Sequence, residues 1–242
     1  MPSVTPLVSL RAVRKDYRGL RPLRVEHLEL REAQCIGLLG FDAAAAEVLV
    51  NLITGATLPD AGDVDVFGAS TRSVTNSDEW FQLLERFGIL SERVFLLDEF
   101  TVEQNLALPL SLEVDDIPAP LATRMQTLAA EVGIAPADLR RPVAEIDQAT
   151  RLRVRLGKAL ALNPRVLLAE HPSAALSPVE AEALAVDLSA IAVRRSLAML
   201  LLTADPSFAR AVCRQVLSLR PATGALVPSS RWWSWNWRSP QR

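Results

Sequence analysis

The chain is poor in the residues that mark several protein classes. It has only two cysteines, Cys35 and Cys213, in 242 residues. That is too few for a disulfide framework, and they read as buried thiols of a reducing compartment. Two histidines, His27 and His171, form no spaced cluster with cysteine, so no zinc site is expected. The formal net charge is only −2, which gives no basis for nucleic-acid binding. No apolar run approaches the roughly 18 residues needed to span a bilayer, and no charged leader with an apolar core opens the chain. These absences lead to the expectation of a cytoplasmic protein, with room for a peripheral place at the inner face of a membrane.

Hydrophobic residues, by contrast, make up 50% of the sequence. Three continuous apolar runs, Cys35–Gly40, Arg165–Glu170 and Leu197–Thr203, suit strands of a parallel sheet covered on both faces. "LVSLRAVRKDY" and "RVEHLELR" alternate more and suit an antiparallel element, and "DVDVFG" follows the turn signal "LPDAGD". Helical patterns lie between. "AAAEVLVNLIT" follows the first apolar strand, "PLATRMQTLAAEVG" stops at Gly133, and "QATRLRVRLGKALALN" puts leucines on one face and arginines opposite. Ser177, Pro178 and Glu180 carry the signals of a helix start. The expectation is an α/β core with an antiparallel β-subdomain and a helical insertion near residues 88–160. The tail from residue 229 onward holds four of the five tryptophans. Trp233, Trp235 and Trp237 would share one face of an extended segment, a pattern suited to a membrane interface or to packing on the domain itself.

"GLLGFDAAAAEVLVNLITG" has the outline of a phosphate-binding strand–loop–helix without its lysine. Together with "PDAGDVDVFG", "FTVEQNLALPL", "LGKALALNPRVLLAEHPSAALSP" and "LLLTADP", it resembles the ATP-binding cassette of ABC transporters, from about Leu7 to Gly224. The resemblance implies a P-loop NTPase-like fold, with residues 1–228 as one cassette domain. It also implies a membrane permease partner and a second cassette subunit, as homodimer or heterodimer.

The departures fall on the chemistry. Aligned on Gly40, the loop runs through Asp42, with Ala43 and Ala45 at the glycine positions, Ala46 in place of the lysine and Glu47 in place of the Mg²⁺-binding hydroxyl. Losing a lysine removes about 4 kcal/mol of attraction at 4 Å and an effective dielectric near 20. Glu92 takes the place of the family's Q-loop glutamine, and Ile146, Asp147, Gln148, Ala149 and Thr150 that of its signature motif. Glu170 stands for the Walker B aspartate, His171 for the catalytic glutamate, Ser177 for the D-loop aspartate and Ala204 for the switch histidine. Tyr17 matches the aromatic that stacks on adenine, and retained packing explains it equally. For Glu170, Mg²⁺ binding without a hydroxyl partner gives way to capping or local pairing. For His171, a structural role outweighs a general base. The basic stretch Arg151–Lys158 reads as a solvated helix face.

The expectation is therefore a non-catalytic, pseudo-ATPase subunit of a transporter complex with no cofactor, carrying a hint of lipid or lipoprotein trafficking in "FTVEQNLALPL". The alternatives are a divergent but active cassette that binds and hydrolyses ATP with Mg²⁺, and a soluble scaffold that reuses the fold.

Overall fold

Three apolar runs become β3 (Cys35–Leu39), β7 (Val166–Glu170) and β8 (Ala198–Leu202) in the computed structural model, which describes residues 5–229. The alternating tryptophans of the tail lie outside the described residues. The strands join β6 (Phe87–Leu90), β9 (Gln215–Arg220) and β10 (Ala225–Pro228) in a six-stranded sheet of order β10-β9-β3-β8-β7-β6. All neighbours are parallel except the β9–β10 hairpin. Every residue of β7 and β8 is buried, because both faces are covered. Leu168, Leu200 and Leu202 face one core, while Leu167, Met199 and Leu201 face the other.

The first core is closed by α1 (Ala43–Ile53) and a four-stranded antiparallel sheet. That sheet has the order β2-β1-β4-β5, from β1 (Val8–Lys15), β2 (Leu23–Leu30), β4 (Ala61–Val66) and β5 (Ala69–Ser70). β1 carries a bulge. Arg11 pairs with Asp63 and Arg14 with Ala61, so β1 has one residue more than β4 over the same span. The second core is built by α3 (Val102–Ala107), α4 (Ala119–Glu131), α5 (Gln148–Leu160), α6 (Pro178–Arg194) and α7 (Pro206–Val212). α2 (Ser77–Leu84) lies on the surface, with no fully buried residue. α6 starts with a reciprocal cap between Ser177 and Glu180 and with Pro178 in its first turn.

Two sequence expectations need correction. "FGIL" forms β6 at the edge of the six-stranded sheet, so the helical segment opens after Leu90; a run of four apolar residues is too short to declare its period. Cys35 and Cys213 are joined as a disulfide across a Cα–Cα distance of 5.0 Å, because α7 returns the chain to the start of β3. Spacing in sequence, 178 residues, gave no sign of that contact.

The second core is pinned by one well-shielded ion pair. Arg195 donates through Nε (2.8 Å) and Nη2 (2.5 Å) to the two oxygens of Glu131, tying the end of α4 to that of α6. The hydrogen bonds from Arg195, against the opposing effect of burial, hold the Glu131 carboxyl below its usual range, aided by the charges of Arg195 and Arg194. A carboxyl depressed in the folded state stabilises the protein above its unfolded pKa, and that stability is lost as pH falls through the folded value. Urea unfolding of the wild type is therefore expected to show declining stability below about pH 4.5. Glu131→Gln should flatten that slope; an unchanged slope would refute the assignment.

Candidate functional site

The β3–α1 connection lies at the C-terminal end of a parallel strand, where open α/β sheets place their ligands. Asp42 caps α1, its Oδ1 accepting from the amide of Ala45 at 2.8 Å, and the helix begins at Ala43. Ala46 is fully buried in the first core, whereas the Glu47 side chain is 45% exposed. Beside this turn lies a cleft of about 410 Å³, within the range of small-molecule sites. Tyr17, Arg21, Arg24, Gly40, Asp42 and Ala45 line it. Burial, and then the charge of Asp42, raise the Tyr17 phenol above its ordinary pKa, so it is neutral at physiological pH.

At the end of β7, Glu170 is 6% exposed and accepts from Ser91 Oγ at 3.0 Å. Arg93 donates to it twice, from Nε at 3.1 Å and Nη2 at 2.5 Å. The same guanidinium reaches Glu47 through Nη1 at 3.2 Å. One arginine thus closes two carboxylates, one from the first turns of α1 and one from the end of β7. His171 follows with φ +45°, its amide donating to the Leu202 carbonyl; its Nε2 is buried without a partner among the described residues.

The structure therefore brings together Gly40, Asp42, Glu47 and Glu170, with Tyr17 facing the first two across the cleft. The other positions are engaged elsewhere. Asp147 caps α5 through the Thr150 amide at 2.7 Å, and this hydrogen bond lowers its carboxyl pKa. Ile146 is buried, Ala149 lies in the first turn of α5, and Gln148 touches Glu92 at 3.4 Å. Ser177 caps α6, and Ala204 is exposed just beyond β8.

Three arginines were missed by sequence reasoning: Arg21 and Arg24 in the cleft, and Arg93 between the carboxylates. The only sequence signal for Arg93 is its place next to Glu92, a position the resemblance already marks. The reading of Arg151–Lys158 as a solvated face is also corrected. Arg155 Nε donates to the Val94 carbonyl, Lys158 Nζ to the Phe95 carbonyl, and Arg151 pairs with Asp98 at 3.2 Å. Burial lowers the pKa of both Arg155 and Lys158. The basic face is a clamp on the strap 92–98, because a strap leaving a strand end has carbonyls that need donors.

The sequence profile described as "ABC transporter" matches residues 23–174, more than half of the chain. Among relatives, methionine import ATP-binding protein MetN 1 of Acinetobacter baylyi is 25% identical over 95% of this chain and 64% of its own length. MetN 2 of Listeria monocytogenes is 28% identical over 87% of this chain and 62% of its own length. MetN of Brucella abortus is 27% identical over 88% and 57%. The chain thus spans about three-fifths of these relatives' length. Two solved structures share the fold. The bacterial ABC transporter cassette MJ0796, described as a dimer, gives a TM-score of 0.75 at 20% identity, over 88% of this chain and 94% of its own. CbiO1 of Clostridium perfringens, part of the cbiONQ transporter complex, gives 0.77 at 16% identity, over 92% and 87%.

These relatives overturn the expectation of a non-catalytic, pseudo-ATPase subunit without a cofactor, and the hint of lipid or lipoprotein trafficking with it. The proteins the chain matches are named for ATP binding in methionine import. The physical reason is that a count of motif positions such as Ala46, Glu47, Glu92, His171 and Ala204 leaves out cations from other segments: Arg21 and Arg24 in the cleft, and Arg93 against Glu47. With a matching family profile over most of the core and cassette structures superposing on nearly all of it, the chain belongs to the ABC transporter family.

Proposed function

We propose that the chain is the ATP-binding subunit of an ABC-type import system, binding and hydrolysing ATP at the inner face of a membrane. In this reading it docks on a permease subunit and pairs with a second cassette. The observation that carries it is the cleft that runs from Tyr17 to the start of α1. A nucleotide fits the donor set there. Tyr17 offers an aromatic face for the base, and Arg21 and Arg24 offer charge for phosphates. The first amides of α1 add the positive end of a helix, although Asp42 takes one of them. ATP supplies the free energy of its hydrolysis to transport. In this reading the proton from water goes to His171, which directly follows Glu170 and whose Nε2 is buried without a partner among the described residues.

Titration calorimetry on the purified protein is expected to give saturable ATP binding. Tyr17→Ala should weaken it about tenfold, since base–aromatic stacking contributes about 1–3 kcal/mol. Absence of saturable binding at millimolar ATP would remove the proposal. Phosphate release in vesicles holding the permease tests turnover, and methionine, the relatives' cargo, is the first substrate to try.

A further inference from the structure

The fold family implies Mg²⁺ beside the phosphates, held by a hydroxyl and a carboxylate. The residues present do not fit that ion. The hydroxyl position carries Glu47, and the guanidinium of Arg93 lies against one oxygen of Glu47 and both oxygens of Glu170. Octahedral Mg²⁺ needs oxygen ligands at about 2.1 Å, and a guanidinium has no acceptor to offer. Among the described residues, no group of three or more His, Cys, Asp or Glu side chains comes together as a metal site.

What stands there instead is a cation that belongs to the chain. Its position is set by the fold on three sides. The Ser91 hydroxyl accepts from the Arg93 amide at 3.2 Å and donates to Glu170, so the turn after β6 aims the side chain. The strap that follows is clamped to α5 by Arg155 and Lys158. The two carboxylates complete the cage. The guanidinium is not consumed by them. Nη1 and Nη2 each carry a second N–H, and the side chain is 42% exposed. It also sits one turn from the helix start that borders the cleft, since Glu47 lies four residues beyond Ala43.

We propose that Arg93 is a tethered replacement for the divalent metal, so that this subunit binds nucleotide polyphosphate without Mg²⁺. The inference rests on the ATP-binding reading above. A guanidinium brings one positive charge where Mg²⁺ brings two, and Glu47 and Glu170 offset it, so Arg93 offers phosphate its free N–H donors while Arg21 and Arg24 in the cleft carry the charge. The two carboxylates then hold the arginine and do not coordinate a metal. A cation that belongs to the chain is always present, so the affinity does not depend on metal supply.

Two titrations on the full chain test it. In the first, Mn²⁺ alone is titrated without nucleotide and followed by electron paramagnetic resonance. Wild type should show no specific site. Arg93→Gln, which frees two facing carboxylates, should gain one, and Arg93→Gln/Glu170→Gln should lose it again. A wild-type Mn²⁺ site abolished by Glu170→Gln, or no gain in Arg93→Gln, overturns the proposal. Thermal melts establish that each variant is folded; Arg93→Lys, which keeps the charge but loses the fork, serves if the glutamine variant is not, and it should gain no Mn²⁺ site. In the second, ATP affinity is measured with Mg²⁺ and with EDTA. Wild-type affinities should agree within twofold, while Arg93→Gln should weaken at least tenfold in EDTA. Wild-type binding that tightens tenfold or more with Mg²⁺ overturns the proposal. Binding in neither buffer defeats the ATP reading and the nucleotide half of the proposal, while the Mn²⁺ titration still decides the position of Arg93.

Discussion

Gly62→Ala is expected to destabilise the protein by about 2–5 kcal/mol, read as a lower urea midpoint. Gly62 sits opposite the β1 bulge with φ +80°. A Cβ built there would lie 2.3 Å from the Ala12 carbonyl oxygen and 2.4 Å from that of Arg11. Both are backbone atoms of a strand hydrogen-bonded to β2 and β4, so neither can swing aside as a side chain would. Two penalties add. The left-handed conformation costs a residue with a Cβ about 1–2 kcal/mol. Forcing an atom into occupied space adds about 1–3 kcal/mol. Gly68 separates the two. It has φ +86°, but its nearest neighbour would be a Thr5 side-chain methyl at 3.7 Å. Gly68→Ala should therefore lose only the conformational part, about 1–2 kcal/mol. Equal losses at the two glycines would show that the backbone collision is not the cause.

Asn105→Ala is expected to lower stability by about 1–3 kcal/mol and to loosen the strap ahead of α3. Asn105 is fully buried on α3. Its Oδ1 accepts from the Leu97 amide at 2.9 Å, and its Nδ2 donates to the carbonyls of Leu97, Thr101 and Phe100 at 2.9, 3.1 and 3.3 Å. One side-chain amide thus serves both polar groups of Leu97. Alanine leaves the Leu97 amide without its side-chain acceptor, while the Leu97 carbonyl keeps the Phe100 amide at 3.1 Å; one polar group left unpaired costs about 1–3 kcal/mol. Because residues 92–98 also carry Arg93, the damage is predicted to spread. Hydrogen exchange at Leu97 and its neighbours should speed up well before global unfolding. Protection of the strap equal to wild type would show that α5 alone holds it.

Much of this frame was legible from residues near one another in sequence. β3, β7 and β8 declared themselves because burial on both faces leaves continuous apolar runs, and α6 because its cap needs only Ser177, Pro178 and Glu180. The antiparallel sheet followed from alternation. Short elements were not legible. α7 has seven residues and β6 four, lengths at which a period of two and one of 3.6 look alike. The positions of Glu47 and Glu170 could be placed by resemblance, yet what occupies the space between them could not. Arg93 meets Glu170 across 77 residues of sequence. No local pattern distinguishes it from Arg86 or Arg165, which lie instead against the Phe67 ring. The arginines of α5 misled for the same reason. A basic helix face looks solvated until a strap of unpaired carbonyls is seen to lie on it.

The six-stranded sheet ends in β6 on one side and β10 on the other, each only four residues long, and β10 stops at Pro228. Short edge strands, and a proline that lacks an N–H, are poor templates for a further strand. The long outer strand of the other sheet, β2, is partly capped as well: the Glu26 amide already donates to Gly224 in the β9–β10 turn. Growth by strand addition is thereby closed off at these edges. In the proposed role, partners would be met through helix and loop surfaces while the unsatisfied backbone stays out of reach, which protects the same molecule from polymerising through its sheets.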